Sequence, residues 1–81
     1  SLIEQYVEYV QVVAKKLTHS MSLPFSLYDD LVSTGYMGLV EAAGRYREGE
    51  KEKFKSFAYL RIRGSMIDFL RKQSNLPHSV Y

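Results

Sequence analysis

The 81 residues suffice for one domain with a modest hydrophobic core and little more. No cysteine is present, so neither a disulfide framework nor a thiolate metal site can form, which fits a reducing cytoplasm. No apolar run is long enough to span a bilayer, no signal peptide is visible, and the expectation is a soluble chain with no membrane partner. The net charge of +2 is unevenly spread: residues 1–44 carry two Lys against five acids, a net −3, and residues 45–81 carry nine Lys or Arg against four acids, a net +5. An acidic half joined to a basic half predicts two kinds of partner.

From Leu2 to about His19, the residues Ile3, Tyr6, Val7, Val10, Val13, Ala14 and Leu17 recur at the spacing of an amphipathic helix, with Glu4, Glu8, Gln11 and Lys15 opposite. The segment 20–25 interrupts it, because Pro24 disfavours helix at its predecessor and serine competes for backbone hydrogen bonds. Ser26 followed by Asp29 predicts an N-cap with an acidic first turn. Leu27, Leu31, Val32, Leu39, Val40 and Ala43 then carry a second helix to about Tyr46. Gly35, Gly38 and Gly44 lie inside this helix, each costing about 1 kcal/mol relative to Ala, so each predicts close approach of another element.

The run 47–53 has no apolar residue and reads as a solvated connector whose alternating charges largely cancel. A third helix is expected to start between Phe54 and Ser56 and run to about Gln73, burying Ala58, Ile62, Met66 and Phe69, with Leu70 near its end. The segment 74–77, ending in Pro77, stops it. Strict strand alternation and internal repeats are both missing, so the expected fold class is all-α: a small bundle of three to four helices, with residues 1–81 as a single domain.

The third helix interleaves rings with cations: Lys53, Phe54, Lys55, Phe57, Tyr59, Arg61 and Arg63. At about 100° per residue, rings at 54, 57 and 59 cannot share one buried stripe, so at least one must face solvent or a ligand. Flat apolar partners for bases beside cations for phosphates are what a single-stranded nucleic acid requires. Phe57 reads as an exposed platform, because Ala58 and Ile62 already define the buried stripe. Phe54 fits the core or the site equally well. Tyr6, Tyr9, Tyr28 and Tyr36 read as packing or surface residues rather than DNA contacts. Catalysis finds no support: His19 follows a helix end, His78 lies in a tail, and no nucleophile–base spacing or glycine-rich phosphate loop occurs. Neither an enzyme nor a cofactor or metal site is expected.

The order Asp30-Leu31-Val32, Gly35-Tyr36-Met37-Gly38-Leu39, Ala42, Arg45-Tyr46, then after a short charged loop Phe54-Lys55-Ser56-Phe57-Ala58 and Arg61-Ile62-Arg63-Gly64-Ser65-Met66-Ile67-Asp68, closely resembles conserved region two of bacterial sigma-70 family transcription factors. The resemblance covers nearly the whole chain, and its Arg-Ile-Arg-Gly string is most similar to the flagellar and sporulation type.

What the resemblance implies is specific. The helix around Asp30 to Val40 would dock on the clamp helices of the largest subunit of core RNA polymerase, with Asp29, Asp30, Ser33, Thr34, Tyr36, Val40 and Glu41 at the contact. The aromatic-basic helix would read and open the minus-ten promoter element through its non-template strand. Tyr46 and Phe57 would wall a pocket for the flipped base, with Phe54 supporting it, and Leu60 and Arg61 would lie at the upstream fork. Lys53, Lys55, Arg63, Arg71 and Lys72 would meet phosphates, which fix position without carrying sequence information.

Three positions depart from the family pattern. Leu60-Arg61 replaces a Trp pair of housekeeping relatives, which implies weaker intrinsic melting. Ser33-Thr34 replaces Gln-Glu, and Arg47 stands where relatives usually place an acid. A helical module that binds polymerase or an anti-sigma regulator without reading DNA is the alternative, and an anti-sigma factor is a further candidate partner. The chain begins inside a helix and stops soon after Pro77, with no room for a helix-turn-helix domain that reads the minus-thirty-five element, so a fragment of a longer sigma factor is expected.

Overall fold

The structure, a computed structural model, describes residues 2–46 and 51–74. The connector at 47–50 and the stop at 75–77 lie outside the described residues. Three helices follow in order: α1 (Leu2–Ser20), α2 (Tyr28–Arg45) and α3 (Lys51–Ser74), with a 3-10 turn (Phe25–Leu27) leading into α2. All described regular structure is helical, as the sequence periodicity predicts.

The end of α1 is closed by backbone geometry rather than by Pro24. The Ser22 amide donates to the His19 carbonyl at 3.3 Å and the Leu23 amide to the Thr18 carbonyl at 2.9 Å, a Schellman pair. The motif needs a left-handed residue, and Ser22 supplies it at φ 52°. Pro24 then runs extended and opens the 3-10 turn, where the Leu27 amide donates to its carbonyl at 3.0 Å.

Two expected helix starts move. Ser26 is not an N-cap: it lies inside the 3-10 turn, and Leu27 takes the cap position with no side-chain hydrogen bond. The acidic first turn of Asp29 and Asp30 is present and favours the exposed amides electrostatically. Helix α3 starts at Lys51, earlier than the apolar pattern indicates. Lys and Glu are good helix formers with no breaker among residues 51–53, so the helix begins there without an apolar signal.

Val10, Val13, Ala14 and Leu17 of α1, Leu31, Leu39 and Ala42 of α2, and Phe54, Ala58, Ile62, Met66 and Leu70 of α3 form one buried core. Phe69, expected inside, is only partly buried at its edge. Helix α2 is the central element, packing extensively on α3 and on α1, whereas α1 and α3 touch sparingly. Two glycines make this possible. A Cβ at Gly38 would lie 2.6 Å from the Arg61 carbonyl oxygen, so the α2 and α3 backbones cross there in direct contact. A Cβ at Gly35 would lie 2.3 Å from Met66 Cε and 3.0 Å from Val10 Cγ1, where all three helices meet. For Gly44 the bundle supplies no such approach: among the described residues nothing lies within 4 Å of its Cβ position.

Candidate nucleic-acid and docking interfaces

The rings at 54, 57 and 59 of α3 fan out as their spacing requires, but in a different assignment. Phe54 is 1% exposed and takes the core reading. Phe57, expected as the open platform, is partly buried and packs against the core. Tyr59 is the exposed ring, at 37%. It faces α1, where its ring meets Tyr9, and the sequence reading names it among the diverging rings without placing it at the DNA contact.

A chain of aromatic contacts links these rings to α1. Tyr46 meets Phe54 edge-on at 5.0 Å, and Tyr6 meets Phe54 at 5.2 Å. Tyr6 contacts Tyr9 at 6.0 Å, and Tyr9 contacts Tyr59 at 6.3 Å. Tyr46, at the end of α2, is therefore half-buried against the core, and its hydroxyl is shielded with no partner among the described residues. Among those residues no ring contact joins Tyr46 to Phe57, so the two are not brought together as a ring pair.

Where α1 and α3 touch only sparingly, a groove opens between them. One cleft, about 380 Å³, is lined by Tyr9, Lys55, Ser56, Tyr59 and Leu60. A second, about 240 Å³, is lined by Val13, Lys16, Leu17, Ser20, Tyr59 and Arg63. Tyr59 belongs to both. Lys16, Lys55 and Arg63 line this groove without an acidic neighbour in either lining. Burial raises the pKa of the Tyr9 hydroxyl above its usual 10.0, with Tyr59 and Tyr6 adding to the effect, so Tyr9 stays neutral beside those cations. Leu60, 66% exposed, forms the outer rim.

The groove shows what the sequence reading missed. Tyr6 and Tyr9 pack against the core, in line with their assignment to packing or surface, but Tyr9 also lines the first cleft, and Lys16 belongs to the half counted as acidic. The signal was the i, i+3 pair of tyrosines on α1, a spacing that also suits core packing. Other cations stand elsewhere: Lys53 and Arg71 are exposed, and Lys72 pairs with Asp68 at 3.4 Å. Arg61 pairs with Glu41 of α2.

On the opposite side, α2 presents an apolar stripe to solvent. Tyr36, Met37 and Val40 are 42%, 69% and 47% exposed, beside exposed Ser33 and with Asp29, Asp30 and Glu41 also exposed. Met37, the most exposed of the three, was missed because it falls between residues of the buried pattern. Thr34, also named for that contact, is half-buried, and its hydroxyl donates to the Asp30 carbonyl at 2.7 Å within the helix.

An all-α bundle with a basic, ring-lined groove and an acidic-rimmed apolar face is the kind of module that joins a nucleic acid to a protein. The family comparison agrees: residues 2–76 match the sigma-70 region 2 family, and the chain belongs to it. Among curated proteins it is 40% identical over 81 residues to RNA polymerase sigma factor FliA of Pseudomonas aeruginosa, covering 99% of this chain and 32% of that protein. It is 43% identical over 61 residues to RNA polymerase sigma-D factor of Bacillus subtilis, covering 74% and 24%. FliA of Escherichia coli K12 gives 40% over 81 residues, 99% and 33%. The chain thus spans about a third of the length of the FliA relatives. No solved structure matches it significantly.

Proposed function

We propose that this chain is the promoter-recognition and promoter-melting domain of a longer sigma factor, acting in the cytoplasm as a specificity module and not as an enzyme. The α2 stripe docks on the clamp helices of core RNA polymerase, where Tyr36, Met37 and Val40 supply apolar contact and Asp29 and Asp30 meet basic residues. The non-template strand of the minus-ten element follows the α1–α3 groove. The observation that carries this reading is the groove itself, with Tyr59 exposed between Lys16, Lys55 and Arg63.

Melting removes a base from its stack, which costs a few kcal/mol, and the protein must bind the released base better than the duplex does. Stacking on a ring returns about 1–3 kcal/mol per base. Tyr46 and Phe57 are half-buried against the core and form no ring pair, whereas Tyr59 and Tyr9 offer such faces in the groove. With Leu60 instead of an indole at the fork, melting leans more heavily on these rings.

In polymerase holoenzyme assembled with the full-length factor, Tyr59→Ala is expected to reduce open-complex formation about tenfold or more on duplex promoter, with polymerase affinity intact. On a pre-melted promoter the loss should shrink. Equal loss of polymerase binding would make Tyr59 a structural residue and remove the main support for this route. The pairing of Arg61 with Glu41 favours a second reading, a module that binds polymerase or an anti-sigma factor without reading DNA. Sequence-independent binding of minus-ten oligonucleotides by the holoenzyme would decide for it.

A further inference from the structure

We propose that the Glu41–Arg61 pair is a latch between the two interfaces: Glu41 holds Arg61 away from nucleic acid until a cationic group of the protein docked on α2 takes the carboxylate. The inference rests on the reading of α2 as docking face and α3 as strand-binding helix.

The pair links helices of opposite assignment, 20 residues apart in sequence. It lies beside the α2–α3 crossing, since the Arg61 carbonyl is the atom that Gly38 approaches and Glu41 is one turn beyond Gly38. Glu41 follows Val40 of the exposed stripe, and its side chain is 54% exposed, so a partner seated on that stripe reaches it. Arg61 is held differently. Its Nε is shielded and has no partner among the described residues, which leaves the guanidinium tied at Nη2 to Glu41. While paired, its charge is offset and α3 offers one cation fewer to phosphates.

The size of the effect suits a latch. An ion pair this exposed is weak, and a competing cation on a docked surface is enough to replace it. The coupling is reciprocal: whatever releases Arg61 by taking Glu41 is itself bound less well while the pair is closed. Glu41 is in this sense a positioning residue, acting on nucleic acid only through Arg61.

The test measures affinity of the full-length factor for a non-template single strand carrying its minus-ten element, free and at saturating core polymerase. Glu41→Gln is expected to tighten binding by the free factor about two- to fivefold, the range an exposed ion pair allows. The dependence of log affinity on log salt should steepen by about 0.7, the value for one further phosphate on a single strand. The advantage conferred by polymerase should shrink correspondingly, and adding Arg61→Gln should cancel the gain. A merely structural Glu41 would shift the thermal midpoint without moving the salt slope.

Unchanged affinity and slope in Glu41→Gln, or a gain that survives in the double variant, overturns the latch alone. Failure of the wild-type holoenzyme to bind the strand with sequence preference overturns the promoter-melting reading, and the latch with it.

Discussion

Ser22 carries a cost that a glycine would not. A left-handed conformation costs an L-residue about 1–2 kcal/mol, and Ser22 adopts it so that two amides can close the end of α1. Glycine gives back part of that gain through its greater freedom when unfolded. Ser22→Gly is therefore expected to stabilise the domain by about 0.5–1 kcal/mol, read as a higher urea midpoint at constant slope. No change would mean that Ser22 relaxes the turn at little cost. The rings show how far single residues can be read from sequence. Angular spacing established that 54, 57 and 59 diverge, but which ring is left open depends on where α1 lies, and periodicity on α3 carries no record of that. Tyr59 is left partly open where α1 and α3 touch only sparingly, whereas Phe57 packs against the core.

Among elements, α2 is decisive because its two close glycines let it serve both neighbours. Gly38→Ala would drive a methyl into the Arg61 carbonyl, a backbone atom that cannot rotate aside. Although alanine is the better helix former by about 1 kcal/mol, the clash should dominate, destabilising by about 2 kcal/mol net. Gly64 of α3 is the contrast: it is exposed, and among the described residues nothing lies within 4 Å of its Cβ position. Gly64→Ala should stabilise the free protein by about 1 kcal/mol through propensity alone. Both values are measurable by denaturant unfolding, and opposite signs are the expected result. Equal destabilisation would place an unseen contact at Gly64. The three helices were legible because each carries an apolar stripe over several turns. Their starts were less so: the first turn of α3 is all polar, and the cap expected at Ser26 gave way to a 3-10 turn set up by Pro24.

For the whole molecule, the division into acidic and basic halves was a useful first approximation that the fold redraws. Charge counted along the chain assigns α1 to the docking side, but packing places Lys16 of α1 across from Arg63 of α3, in one cleft with Tyr59. Only three-dimensional arrangement joins residues 47 positions apart into one lining. The face of α2 was legible in part: Tyr36, Val40 and the acids were named from the family resemblance, and Met37 was missed. On the proposed function, two faces of one small bundle would serve two partners, with α2 common to both through its contacts with α3.

The central claim is that the strand lies between α1 and α3, and Lys16 tests it most directly because no feature of α3 alone requires it. In holoenzyme containing the full-length factor, affinity for the minus-ten non-template oligonucleotide is to be measured against salt for wild type, Lys16→Ala and Arg63→Ala. Loss of one phosphate contact should flatten the log–log slope by about 0.7 in each variant, with similar weakening on every sequence tried. A slope unchanged in Lys16→Ala but reduced in Arg63→Ala would put the strand on α3 without α1, and the groove would not be its path.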